Sequence, residues 1–277
     1  MRQLTKRTER ATVALAAIAV IAVIVTFCAR AVTAEAYSTS AASAIVIDAS
    51  AGEVLYEKNA DEKRAIASTT KIVTAITVIL NTDDIDAERV VPDEAIGVEG
   101  SSLYLKKGEK LRIRDLLYGL MLRSGNDCAV ALACLTSGGT DEFAALMNET
   151  ARLAGATSSH FVNPHGLPDD EHYSTARDLA LISAFAMRND TFREIVSAKV
   201  YKECPSPDGG YRTMLNKNKI LGMLDGGNGI KTGYTKAAGR CLVSSAKRED
   251  REIICVVLGC GPMFEESRDM INEAFEN

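Results

Sequence analysis

The sequence predicts an α/β protein in which one sheet is assembled from both ends of the chain and a helical lobe is inserted between them. Three observations carry this expectation. Near the start, "AIVID" and "EVLYEKN" flank the turn "ASAG" and predict a hairpin. The chain closes on three further strand-like stretches, "GIKTGYT", "RCLVSSA" and "REIICVVLG". Between them, apolar residues recur at helical spacing. No internal repeat, low-complexity tract or second folded domain interrupts the 277 residues.

The first element is a leader. Residues 1–10 carry Arg2, Lys6, Arg7 and Arg10, and residues 11–29 are apolar apart from two threonines, as in an export signal. Nineteen apolar residues approach the roughly 20 needed to span a bilayer. The segment 1–36 is therefore either a cleaved signal peptide or an uncleaved N-terminal membrane anchor. Val32-Thr33-Ala34 and Ala34-Glu35-Ala36 supply small-residue cleavage sites and favour the signal. Cys28 follows "VTF", without the small residue that precedes a lipid-attachment cysteine. A protein working outside the cytoplasm is expected, touching a membrane only through this segment.

Residues 37–43 (YSTSAAS) form a polar linker, and the mature fold is expected over 41–277. Ser68 is expected to open a helix with Ile72, Val73, Ile76, Ile79 and Leu80 on its apolar positions. "RDLLYGLML" and "DCAVALACL" predict two helices, the second apolar all round and hence buried, broken by Arg123-Ser124-Gly125-Asn126. "DEFAALMNETARLAG" ends on Gly155 as a cap, and Thr175 with Asp178 makes a box-like start for "ARDLALISAFAM". Residues 247–250 turn between the last two strands, and a helix over 263–276 closes the chain.

Composition narrows the function. Cleavage after Ala36 would remove five of 32 basic and two of 37 acidic residues, leaving 27 and 35 and a net charge of −8. Nucleic acid is thereby an unsuitable partner. The six cysteines beyond the leader (Cys128, Cys134, Cys204, Cys241, Cys255, Cys260) show no paired CxxC spacing, and four lie in strongly apolar stretches. Free buried thiols are expected, with no metal site and no cofactor.

Ser68 and Lys71 are three apart, so on a helix their side chains share a face. An amine kept neutral by burial or a neighbouring cation can take the serine proton, and the free N–H groups of a helix start can face an oxyanion. The same spacing recurs at Ser244 and Lys247, at a strand end, where an odd offset points the two side chains to opposite faces. That second pair should be inert. Ser124 and Asn126 stand in the helix break, and Lys231, Thr232 and Gly233 on a strand. His160, His165 and His172 occur without HExxH or a GxSxG elbow, and are expected to shape a groove rim and transfer no proton.

The ordered set Ser-x-x-Lys, Ser-x-Asn, Lys-Thr-Gly is the signature of penicillin-binding proteins and class A β-lactamases. With "IDASAGEVLYEKNADEKRAIASTTK", "SSLYLKKGEKLRIRDLLYGLMLRSGNDCAVALA", "FVNPHGLPDDEHYSTARDLA" and "GIKTGYTKAAGRCLVSSAKRE", the chain resembles the serine D-alanyl-D-alanine carboxypeptidases of peptidase family S11 over residues 41–277. The resemblance implies a DD-peptidase/β-lactamase-like fold, a mainly antiparallel sheet flanked by helices. It implies attack by Ser68 on a peptidoglycan pentapeptide stem ending in D-Ala-D-Ala, through an acyl-enzyme, with β-lactams as inhibitors. Lys71 would be the general base, Ser124 a proton relay and Asn126 a holder of the substrate amide. Lys231 would be a fixed cation that keeps Lys71 neutral and, with Thr232, binds the terminal carboxylate. Gly233 would leave room for a ligand strand, and the backbone N–H of Tyr234, with that of Ser68, would form the oxyanion hole.

Family members often carry Ala where Cys128 stands, and many add a β-rich second domain and a C-terminal amphipathic helix, neither of which is expected here. The Glu-x-x-Leu-Asn sequence of a fast-deacylating class A β-lactamase does not occur between Asn126 and Lys231. A wall-binding or β-lactam-sensing protein without turnover fits poorly with an intact set of Ser68, Lys71, Ser124, Asn126 and Lys231. Transpeptidation, with an amine in place of water, is left open by the sequence.

Overall fold

The computed structural model describes residues 39–276, and the expectations for 1–36 lie outside the described residues. A five-stranded sheet forms the base. It contains β1 (Ser43–Asp48), β2 (Glu53–Lys58), β7 (Gly227–Thr235), β8 (Gly239–Arg248) and β9 (Arg251–Leu258), in the order β2-β1-β9-β8-β7. Every pairing is antiparallel. The two chain ends thus meet at β1 and β9, as the terminal strand patterns predict. All six residues of β1 are buried, which explains its unbroken apolar run, whereas edge strand β2 is largely exposed.

The inserted lobe starts with a 3-10 turn, Ala67–Thr70, that runs into α1 (Lys71–Leu80). The sequence places Ser68 as the first α-helical residue, and the structure corrects this. Ala67 takes φ +50°, a left-handed conformation that cannot continue an α-helix, and the tighter turn follows. The correction strengthens the pairing of Ser68 with Lys71, because residues three apart eclipse on a 3-10 helix.

Beyond the ribbon of β3 (Glu88–Val90) and β4 (Lys110–Arg112), α2 (Ile113–Leu122) and α3 (Asn126–Ser137) pack against α1. Then follow α4 (Thr140–Leu153) and α5 (Ala176–Met187). Gly155, at φ +85°, lies just past α4 as expected. The Thr175 hydroxyl accepts from Asp178 N as predicted. Asp178 turns its carboxylate to Ser158 N and the Ser159 hydroxyl, so only half of a capping box forms.

Four further elements have no counterpart in the sequence reading besides β3 and β4. They are α6 (Asp190–Ser197), the hairpin of β5 (Val200–Pro205) and β6 (Tyr211–Leu215), and the short α7 (Ile220–Met223). The strands among them are short or exposed and lack apolar alternation. Helix α8 (Met263–Glu276) closes the chain as expected. Among the described residues no helix is long and apolar enough to cross a membrane.

Candidate active site

Ser68 sits on the 3-10 turn where the lobe meets β7, and the Lys71 amine nitrogen lies 3.1 Å from its hydroxyl. Lys71 is fully buried, and its two shorter bonds go to carbonyl oxygens, Asn126 Oδ1 and His165 O, both at 2.7 Å. Burial, above all, and the nearby Lys231 hold the Lys71 amine well below the usual lysine range. A neutral amine has two N–H groups and one lone pair. With the N–H groups engaged by the two carbonyls, the lone pair is left for the Ser68 O–H.

The Ser-Gly-Asn segment breaks the lobe between α2 and α3, as its sequence predicts. Ser124 is held at φ +62°, and its hydroxyl accepts from Lys231 Nζ at 3.1 Å. Left-handed backbone at both Ala67 and Ser124, at a cost of about 1 kcal/mol each, concentrates strain on the two sides of Ser68. Asn126 is fixed from three directions. Its Nδ2 donates to Glu99 O and its backbone N–H to Ser101 O, both at 2.7 Å, while Oδ1 takes the Lys71 bond. Gly100, at φ +93°, clears the way, since a Cβ there would fall 2.6 Å from Asn126 Nδ2.

On β7, Lys231 and Gly233 are buried, while Thr232 and Tyr234 alternate with them on a more open face, Tyr234 being 65% exposed. Gly233 carries the close approach. A Cβ there would lie 3.0 Å from Ser68 N and 3.1 Å from Thr69 N, so any larger residue would push β7 off the serine turn. Lys231 also donates to its neighbour Thr232 O at 3.0 Å. Burial first, then Lys217, lower its pKa to about 7, a displacement worth roughly 5 kcal/mol against the charged form. The cation expected from the sequence is thus held by burial at a pKa of about 7.

Sequence reasoning missed several participants. His165 contributes its backbone carbonyl, a group no motif names. Gly166, at φ +83°, presses on the serine turn so closely that a Cβ would overlap Ala67 O. Asp127 is buried beside Asn126 and accepts from the Ser102 hydroxyl and from the backbone of Leu103 and Leu105, which ties the 101–105 segment to the start of α3. A buried acid inside "SGND" was the available signal. His165 and His172 are held neutral, mainly by burial, with pKa values of about 4. Ser244 donates to Cys255 O from the sheet interior while Lys247 is exposed, so their shared spacing builds nothing. All six cysteines of the described residues are free thiols, and no group of three or more His, Cys, Asp or Glu among those residues could hold a metal ion.

A family model for D-alanyl-D-alanine carboxypeptidase, peptidase S11, matches residues 30–261. The chain belongs to this family. It is 32% identical over 226 residues to D-alanyl-D-alanine carboxypeptidase DacF of Bacillus subtilis, which covers 79% of this chain and 57% of that relative's length. The chain therefore spans little more than half of that relative. Two crystal structures share the fold. The D-alanyl-D-alanine carboxypeptidase of Mycobacterium tuberculosis superposes with a TM-score of 0.81 at 31% identity, covering 87% of this chain and 92% of that one. The Streptomyces K15 DD-transpeptidase superposes with a TM-score of 0.80 at 33% identity, covering 87% and 98%. The α/β architecture with its antiparallel sheet is accordingly that of the DD-peptidases.

Proposed function

We propose that this protein is a serine-type D-Ala-D-Ala carboxypeptidase that removes the terminal D-alanine from peptidoglycan stem peptides and is inhibited by β-lactams. The observation that carries the reading is the buried Lys71 amine, 3.1 Å from Ser68 Oγ, with two carbonyls engaging its other valences. Ser68 loses its proton to Lys71 and attacks the carbonyl of the penultimate D-alanine, forming a tetrahedral oxyanion faced by the backbone N–H groups of Ser68 and Tyr234. Collapse expels the last D-alanine, whose amine takes a proton relayed through Ser124, and leaves an acyl-enzyme that water hydrolyses. Asn126 holds the substrate amide. Lys231 and Thr232 receive the terminal carboxylate, which would itself stabilise the charged form of Lys231.

The folded domain is read as the catalytic domain over 41–277, working on the wall outside the cytoplasm. The basic and apolar leader supports secretion or an N-terminal anchor on the outer face of the cytoplasmic membrane. Likeness to the Streptomyces K15 DD-transpeptidase favours a second reading, in which an amine replaces water as acceptor.

The test is mass spectrometry of the protein with a pentapeptide ending in D-Ala-D-Ala and, in parallel, with penicillin, beside Ser68→Ala. Loss of one alanine and a penicillin adduct on Ser68 are expected. An adduct without cleavage points to transpeptidation or sensing, and the absence of both cleavage and adduct would refute Ser68 as nucleophile.

A further inference from the structure

His172 is buried, and both of its ring nitrogens are engaged. Nδ1 lies 3.2 Å from the backbone N of Val162, and Nε2 lies 2.8 Å from Thr70 Oγ1. A backbone N–H can only donate, so Nδ1 is the unprotonated nitrogen and Nε2 carries the proton that Thr70 accepts. The ring stands edge-on to Phe161, with centroids 5.6 Å apart.

These bonds join two segments that matter. Thr70 lies on the serine turn, next to Lys71. Val162 opens the loop whose Pro164 carbonyl accepts from the Thr74 hydroxyl and whose His165 carbonyl accepts from Lys71, each at 2.7 Å. Further along, Arg64 and Ser174 exchange backbone hydrogen bonds that fix the outer end of the same segment. The loop thus supplies carbonyls to α1, while His172 supplies a side chain that grips the turn and the loop together.

We propose that His172 is a positioning residue for acylation: through Thr70 and Val162 its neutral imidazole holds the 162–167 loop against the serine turn, so that the His165 carbonyl keeps the Lys71 lone pair aimed at Ser68. The inference rests on the Ser68–Lys71 reading above. It makes a prediction that simple loss of stability does not. If the clamp opens, His165 O retreats and water reaches Lys71, relaxing the burial that keeps its pKa low, so acylation then requires a higher pH. The other groups facing Lys71 stay in place: Lys231 and Lys217 favour its neutral form, Asp127 and Cys128 oppose it, and His165 is uncharged.

The test uses the full chain with His172→Ala, His172→Gln and Thr70→Val. It measures acylation by a fluorescent penicillin across pH, the mass of the Ser68 adduct, and the melting temperature. His172→Ala should acylate about 100-fold more slowly, the scale of a misplacement of about 1 Å. Its acylation midpoint should move to higher pH. Glutamine can donate and accept at similar positions and should restore most of the rate and the midpoint, while Thr70→Val should reproduce the displacement. An unchanged rate and midpoint, or a slower rate with an unmoved midpoint, would overturn the positioning role. Should His172→Ala fail to fold, the other two variants decide by the same criteria. A wild type that forms no Ser68 adduct would refute the carboxypeptidase reading and this inference with it, an outcome distinct from one confined to the variants.

Discussion

Two Ser-x-x-Lys sequences occur in this chain, and they meet opposite fates. At Ser68 and Lys71 the backbone makes a 3-10 turn, the side chains eclipse, and the lysine is buried against two carbonyls. At Ser244 and Lys247 the backbone is the extended strand β8. The serine is locked to Cys255 O inside the sheet while the lysine points to water. Residue types and spacing are identical, so neither is the source of reactivity. A period near three brings the first pair together and burial favours the neutral amine of Lys71, whereas a period of two puts Ser244 inside the sheet and Lys247 on its exposed face.

The largest effect that sharpens the contrast is removal of the amine. Lys71→Ala should slow acylation by fluorescent penicillin about 10²- to 10⁴-fold, the usual worth of a general base, while Lys247→Ala should leave the rate unchanged. Similar losses in both would break the comparison.

The next effect concerns the surroundings of the first pair. Gly166→Ala puts a Cβ into Ala67 O at a left-handed position, and should slow acylation about 100-fold as the His165 carbonyl is displaced. Gly138→Ala is the control. It too has a positive φ but meets no neighbouring atom, so it should cost about 1 kcal/mol in thermal melts and leave acylation intact.

A smaller effect follows from pH. Lys231, with its pKa lowered to about 7, is charged below neutrality and loses its proton as pH rises through that value. The KM of a carboxylate-ended peptide should therefore rise above about pH 7, and that of a C-terminally amidated peptide should not. Lys71 should run the other way: as the general base of the proposed mechanism, its loss of a proton should raise kcat. The two buried amines are coupled, so a bell-shaped kcat/KM profile reports the pair. The smallest effect belongs to the inert serine. Ser244→Ala should lower stability by about 1 kcal/mol through its lost hydrogen bond, with no change in acylation.

Much of the fold was legible in advance because it rests on long, strongly patterned elements. The terminal strands, α1, α2, α3, α5 and the closing α8 announce themselves by apolar period and caps. The β3–β4 ribbon and the β5–β6 hairpin escaped notice because two short exposed strands carry no apolar alternation, and their pairing is a long-range event. The three-part motif was equally legible, since its residues are chemically specialised and appear in a fixed order. The His165 carbonyl, the glycines that permit close approach and the grip of His172 were not, because a backbone oxygen or an absent Cβ has no side-chain identity to read.

The sequence by itself determined the long, strongly patterned elements, their broad arrangement and the residue types of the three-part motif, for these follow from local period and side-chain chemistry. Only the tertiary structure decided that Ser68 lies on a 3-10 turn, that Lys71 is buried between two carbonyls, and that burial lowers the pKa of Lys231 to about 7. The turn depends on the left-handed backbone at Ala67, and the two amines on how far segments remote in sequence exclude water, which is a property of the packed assembly.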